Sequence, residues 1–89
     1  MPEGSTRLAV RLDPAAWEGT EIDVEALLAG WQVAAGERVA MGQEIGTAEL
    51  VKASIAIVAP ATGRIAELCV PVGDSFARNR VLAWIEPDA

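Results

Sequence analysis

The sequence predicts an all-β fold: two small antiparallel sheets packed face to face as a sandwich or flattened barrel. Three observations predict it. Short apolar runs alternate with polar residues and are punctuated by glycine. The second half repeats the plan of the first at an offset of 37 positions. Neither half is large enough to form a core alone, so the two must bury their apolar faces against each other.

The elements follow in order. Leu8, Val10 and Leu12 alternate with Arg7, Ala9 and Arg11, a half-buried strand stopped by Asp13-Pro14. Thr20 to Leu28 is ambiguous. Thr20 with Asp23 resembles a capping box and Ile22 with Ala26 has helical spacing, yet Ile22 and Val24 also alternate with acids. A strand from about Ala26 is expected, with residues 14–25 a loop that has room for a helical turn. Trp31 and Val33 alternate into the turn Ala35-Gly36-Glu37, Val39 follows, and Gly42-Gln43 breaks the run. Ile45 to Glu49 and Ser54 to Val58 are strands, the second closed by Ala59-Pro60. Then the plan recurs: Val33-Ala34-Ala35-Gly36-Glu37-Arg38-Val39-Ala40 aligns with Val70-Pro71-Val72-Gly73-Asp74-Ser75-Phe76-Ala77. Ile45 meets Leu82, and Glu49 meets Glu86. Trp31 and Trp84 fall in strands and are expected in the core.

Composition narrows function. The chain has 89 residues, one cysteine, no histidine and a formal charge of −6. No internal disulfide can form, and Cys69 reads as a small core residue. Without histidine, serine–histidine catalysis and the commonest metal ligand are missing. A metal site is not expected. An acidic surface repels nucleic acid and anionic membranes, and no apolar run reaches the ~18 residues that span a bilayer. Met1 to Ser5 lack a basic region followed by an apolar one, so no signal peptide and a cytoplasmic location are expected.

The stretch Glu49-Leu50-Val51-Lys52-Ala53-Ser54 holds the only lysine, beside six arginines among the seven basic residues. Leu50 to Ala53 must turn the chain, yet none of the four is Gly, Pro, Asn or Asp. Such conflict between local rule and global pattern marks functional positions. Arginine stays protonated, whereas a lysine amine can be acylated. A solvated turn lysine is the ordinary alternative.

These residues resemble the biotinyl/lipoyl attachment family, and lipoyl domains within it. The family's Glu-x-Asp-Lys-Ala reads here Glu49-Leu50-Val51-Lys52-Ala53. Its Gly-Asp-x-Val reads Gly36-Glu37-Arg38-Val39, its Pro-x-x-Gly reads Pro60-Ala61-Thr62-Gly63, and its second Gly-Asp turn is Gly73-Asp74. The match runs ungapped from about Leu28 to Ile85. Val51 stands where acyltransferase lipoyl domains have Asp. Val-Lys-Ala resembles the glycine-cleavage H protein instead, while biotin carriers flank their lysine with methionines.

The resemblance implies a flattened barrel, a barrel-sandwich hybrid of two four-stranded sheets with quasi-twofold symmetry. It implies a single domain over residues 7–86, between a flexible N-terminus (1–6) and a tail or linker start (87–89). Lipoic acid would be amide-linked to Lys52, with Glu49, Val51, Ala53, Gly36 and Gly63 presenting the lysine to its ligase. The glycines are expected to form tight turns near the lysine hairpin. Biotin is the lesser cofactor candidate. The implied role is a non-catalytic carrier, free-standing or part of a dihydrolipoamide acyltransferase, whose swinging arm serves a 2-oxoacid or acetoin dehydrogenase complex. Implied partners are a lipoate–protein ligase or lipoyl transferase, a thiamine-diphosphate-dependent dehydrogenase, an acyltransferase and dihydrolipoamide dehydrogenase. The domain is expected to be monomeric. Alternatives are an aminomethyl carrier like H protein, a biotin carrier of a carboxylase, and an unmodified hybrid barrel used for interaction. Trp17 falls where lipoyl domains project a loop beside the lysine turn, making it a docking candidate. The other reading folds it back onto the barrel.

Overall fold

A computed structural model describes residues 7–21 and 23–88. The expected flexible N-terminus (1–6), the helical reading of Ile22, and Ala89 lie outside the described residues. Eight strands form: β1 Leu8–Val10, β2 Ala26–Trp31, β3 Arg38–Val39, β4 Glu44–Leu50, β5 Ala53–Val58, β6 Gly63–Leu68, β7 Ser75–Phe76 and β8 Ala83–Pro87. They make two four-stranded antiparallel sheets, ordered β1-β8-β6-β3 and β5-β4-β2-β7. The fold is the all-β flattened barrel that the sequence predicts.

The internal repeat is visible strand by strand. β2 at 26–31 becomes β6 at 63–68, and β3 at 38–39 becomes β7 at 75–76, both displaced by 37 positions. Irregular pairing falls between Leu28 and Gly30 in one sheet and between Ile65 and Glu67 in the other, the same displacement again. Backbone conformation repeats too: φ is +94° at both Gly36 and Gly73, and +85° at Gly42 against +70° at Asn79. At the two +94° turns glycine is needed because a Cβ would strain the left-handed region. The repeat maps each sheet onto the other, so β4–β5 in one corresponds to β8–β1 in the other.

Alternation explains the core. Leu28, Ile45, Ile57, Ile65, Leu82 and Ile85 are fully buried between the sheets, each contributing about 1.5–3 kcal/mol by leaving water. No polar or charged residue among those described is buried.

Details differ from the sequence reading. Ala83 and Ile85 point inward, so Trp84 between them lies half-buried on the outer face, not in the core. Trp31 is half-buried at the end of β2, packed against the core with its indole nitrogen donating to the Val70 carbonyl at 2.8 Å. Cys69 is half-buried rather than in the core. Burial pushes its thiol pKa up, nearby Glu67 adds to this, and Arg80 opposes it.

The helical turn in the loop is a 3-10 turn at Pro14–Trp17, started by Asp13, whose carboxylate accepts from the Ala15 amide at 2.9 Å. The Thr20 hydroxyl donates to the Trp17 carbonyl at 2.6 Å instead of capping a later helix. At the other end, Pro87 still pairs with Gly63, the Asp88 amide donates to the Thr62 carbonyl, and the Arg38 guanidinium donates to the Asp88 carboxylate at 2.6 Å. Ordered contacts therefore run two residues past 86.

Candidate functional site: the β4–β5 turn

β4 and β5 form the longest hairpin of the molecule, with six paired positions from Glu44↔Val58 to Leu50↔Ala53. Ala48, Leu50 and Ile57 are buried along its inner face and Ile55 is half-buried there, which fixes the register. Leu50 and Ala53 are themselves paired, so the turn is only Val51 and Lys52.

A two-residue hairpin loop needs positive φ at its first or both central residues. Val51 supplies it at +59°, and Lys52 is not among the positive-φ residues, the sign pattern of a type II′ turn. For a β-branched residue this conformation is an outlier worth roughly 1–2 kcal/mol of strain. The side chain gains no burial in return, since Val51 is 71% exposed. Lys52 is exposed, and neither ion pair among the described residues includes it. The hairpin thus holds a primary amine at a rigid tip, free of partners within the described chain.

The other expected site residues divide. Glu49 is exposed on the outer face, one pair before the tip, between Leu27 and Ser54. Ala53 closes the turn opposite Leu50 and is exposed. Gly36 and Gly63 are not near the lysine. Five residue steps along β5, roughly 17 Å of strand, lead from Ala53 to Val58, and Gly63 lies beyond that far end, paired with Val39 and Pro87. The Gly36 amide donates to Ile65 on that same strand, β6. Nor does Gly63 make a turn: it is glycine because a Cβ would sit 2.2 Å from the Glu86 carbonyl oxygen.

Trp17 is a correction. It is 5% exposed, edge-on to Phe76 with ring centroids 6.3 Å apart, and the Arg78 guanidinium lies 5.4 Å over its ring. Burying so large a ring outweighs displaying it, so Trp17 anchors the β1–β2 loop rather than offering itself for docking. Sequence reasoning missed Arg78. It donates to the Thr20 hydroxyl and the Glu21 carbonyl, both at 2.9 Å, which ties the loop down. The repeat held the signal: Arg78 is the counterpart of Met41, displaced by 37 positions, and a charge there breaks the pattern.

Among the described residues no three acidic, cysteine or histidine side chains gather to hold a metal. A groove of about 210 Å³ lies elsewhere, lined by Ala9 to Pro14 with Val58 and Pro60. What the tip does present is an exposed lysine amine, the type of group that can be acylated.

Comparison with known proteins agrees. Residues 16–85 match the Biotin_lipoyl family model, described as "Biotin-requiring enzyme". Among solved structures, the lipoyl domain of the 2-oxoglutarate dehydrogenase complex from Azotobacter vinelandii superimposes with a TM-score of 0.71 at 24% identity, covering 91% of this chain and all of that one. No curated protein matches the sequence. With most of its length inside the family model and its only lysine at the hairpin tip, the chain belongs to the biotinyl/lipoyl attachment family, a family of carrier domains.

Proposed function

We propose that this chain is a lipoyl carrier domain, with lipoate amide-linked to Lys52. One observation carries the reading: the sole lysine occupies the second position of an exposed two-residue turn whose first residue is strained. The Lys52 ammonium would first give up a proton, and its nitrogen would then join the activated lipoate carboxyl with loss of the activating group and a second proton. One positive charge disappears, moving the formal charge from −6 to −7. Held at Lys52, a lipoyl group would supply a dithiolane for reductive acylation, the thiamine-bound acyl carbanion providing the two electrons, and dihydrolipoamide dehydrogenase would reoxidise the dithiol left after acyl transfer.

The protein's own contribution is mechanical. The paired hairpin keeps the attachment point rigid, and the exposed Val51, Lys52 and Ala53 leave room for an enzyme to close over it. Tethering raises the local concentration of the carried group, to about millimolar, without a tight complex. The Azotobacter likeness favours lipoate over biotin, and Val51 and Ala53 lack the methionines that flank biotinylated lysines. It also favours work in a 2-oxoacid dehydrogenase complex, between a thiamine-diphosphate-dependent dehydrogenase, an acyltransferase and dihydrolipoamide dehydrogenase. A glycine-cleavage-type aminomethyl carrier is the second reading, favoured by Val51-Lys52-Ala53.

The test is enzymatic modification of the purified full chain. Lipoate–protein ligase with lipoate and ATP should add one lipoyl group to the wild type and none to Lys52→Arg. Biotin–protein ligase with biotin should leave both unchanged. Transfer of biotin in preference to lipoate would reject the reading.

A further inference from the structure

Four strands lie at sheet edges: β1, β3, β5 and β7. Three are short, with three residues in β1 and two each in β3 and β7. Two of these three also carry charge: Arg7 and Arg11 flank β1, and Arg38 lies in β3. β5 is different. It has six residues, and no charged side chain occurs from Ala53 to Gly63. Proteins usually blunt long edges, because an unpaired row of amides and carbonyls invites another strand.

The pairing shows which groups are free. β5 pairs with β4 alone. Leu50↔Ala53 closes the two-residue turn, so the hydrogen-bonded pairs alternate from there and include Ala48↔Ile55. Ser54 and Ala56 fall between and aim their backbone amides and carbonyls away from the sheet. Neither takes part in a loop or side-chain hydrogen bond among the described residues, and both are exposed. The row starts two residues after Lys52. It ends at Val58 and Pro60, which line a groove together with Ala9 to Pro14, the charged Arg11 and Asp13 among them.

We propose that the β5 edge is a strand-addition site for the enzyme that acylates Lys52, an extended segment of which pairs with Ser54 and Ala56. This rests on the carrier reading. Lysine and edge belong to one rigid hairpin, so gripping the backbone at Ser54 sets the distance to the Lys52 amine. Main-chain hydrogen bonds would provide hold while the small side chains of Ser54 and Ala56 leave the approach open. A second copy of this chain is disfavoured as occupant by the charge of −6 on each.

The experiment compares Ala56→Pro with Ala56→Gly in the full chain, measuring initial rates of lipoylation by lipoate–protein ligase. Proline removes an outward amide that the fold does not use, which an edge strand tolerates, whereas glycine keeps it. Ala56→Pro should be modified about tenfold more slowly than Ala56→Gly, the loss expected for one intermolecular hydrogen bond. Ala56→Arg, which guards the edge with charge and keeps every backbone group, should be slowed as much, and it carries the test if the proline variant does not fold. Equal rates for all three folded variants would overturn the proposal. So would a wild-type dimer broken by Ala56→Pro with lipoylation unchanged, which assigns the edge to a second copy. A wild type that accepts no lipoate fails the carrier reading itself, a different result from a modified wild type indifferent to Ala56.

Discussion

The β4–β5 hairpin and the β8–β1 pair are the same unit in two versions, exchanged by the internal repeat. One is closed by Val51-Lys52. The other is open, because its counterpart turn falls between the two ends of the chain. The open version is short, with three paired positions, and its outer face holds Arg7 paired with Glu86 at 3.7 Å. The closed version has six paired positions and an outer face of Thr47, Ser54, Ala56 and Val58, with charge only at Glu44 and Glu49. Symmetry therefore accounts for the scaffold. What sets the lysine apart lies where symmetry fails: a strained turn, an uncharged edge, and a loop of 15 residues, 11–25, where the matching connection 59–62 has four.

The largest effect is expected where that longer loop is pinned. Trp17→Ala should cost about 3–5 kcal/mol in chemical denaturation, while lipoylation of the remaining folded protein stays unchanged. A selective loss of modification in a stable Trp17→Ala protein would restore the docking role and break the comparison.

Gly63 and Ala26 are counterparts, displaced by 37 positions, so exchanging their side chains probes the two versions directly. Gly63→Ala should destabilise by about 3 kcal/mol, because its Cβ would meet backbone at Glu86 and Pro87 that cannot swing aside. Ala26→Gly should cost less, about 1–2 kcal/mol, through a lost methyl and added chain entropy. Equal losses, read by urea unfolding, would show that the two ends pack alike.

At the closed turn the sign reverses. Val51→Asn should stabilise the domain by about 1 kcal/mol, since asparagine tolerates positive φ and Val51 contributes little burial. A fall in stability would mean that Val51 is not strained. The smallest effect belongs to the open end. Glu86→Gln removes an exposed ion pair and should change stability by no more than about 0.5 kcal/mol, a difference that disappears in high salt.

The repeat was legible in the sequence because strand alternation and positive-φ glycines are both local features. Val33 with Val70 and Gly36 with Gly73 announced it before any pairing was known. The lysine turn was legible too, through the absence of turn residues, although the sequence placed four residues where two suffice. Trp17 was not, because its fate depends on Phe76 and Arg78, some sixty residues away in the chain. Gly63 was misread for a similar reason: a strand glycine demanded by a neighbouring backbone looks like a turn glycine until the neighbour is known. The β5 edge was equally hidden, since a run of small uncharged residues declares an edge only when strand order is fixed.

The central claim is that the closed turn exists to present Lys52 for lipoate. Intact mass of the chain made in its native host with ample lipoate, beside Lys52→Arg, tests it most directly. The account predicts one lipoyl group on the wild type and none on the variant. An unmodified wild type, or one carrying biotin, would contradict it.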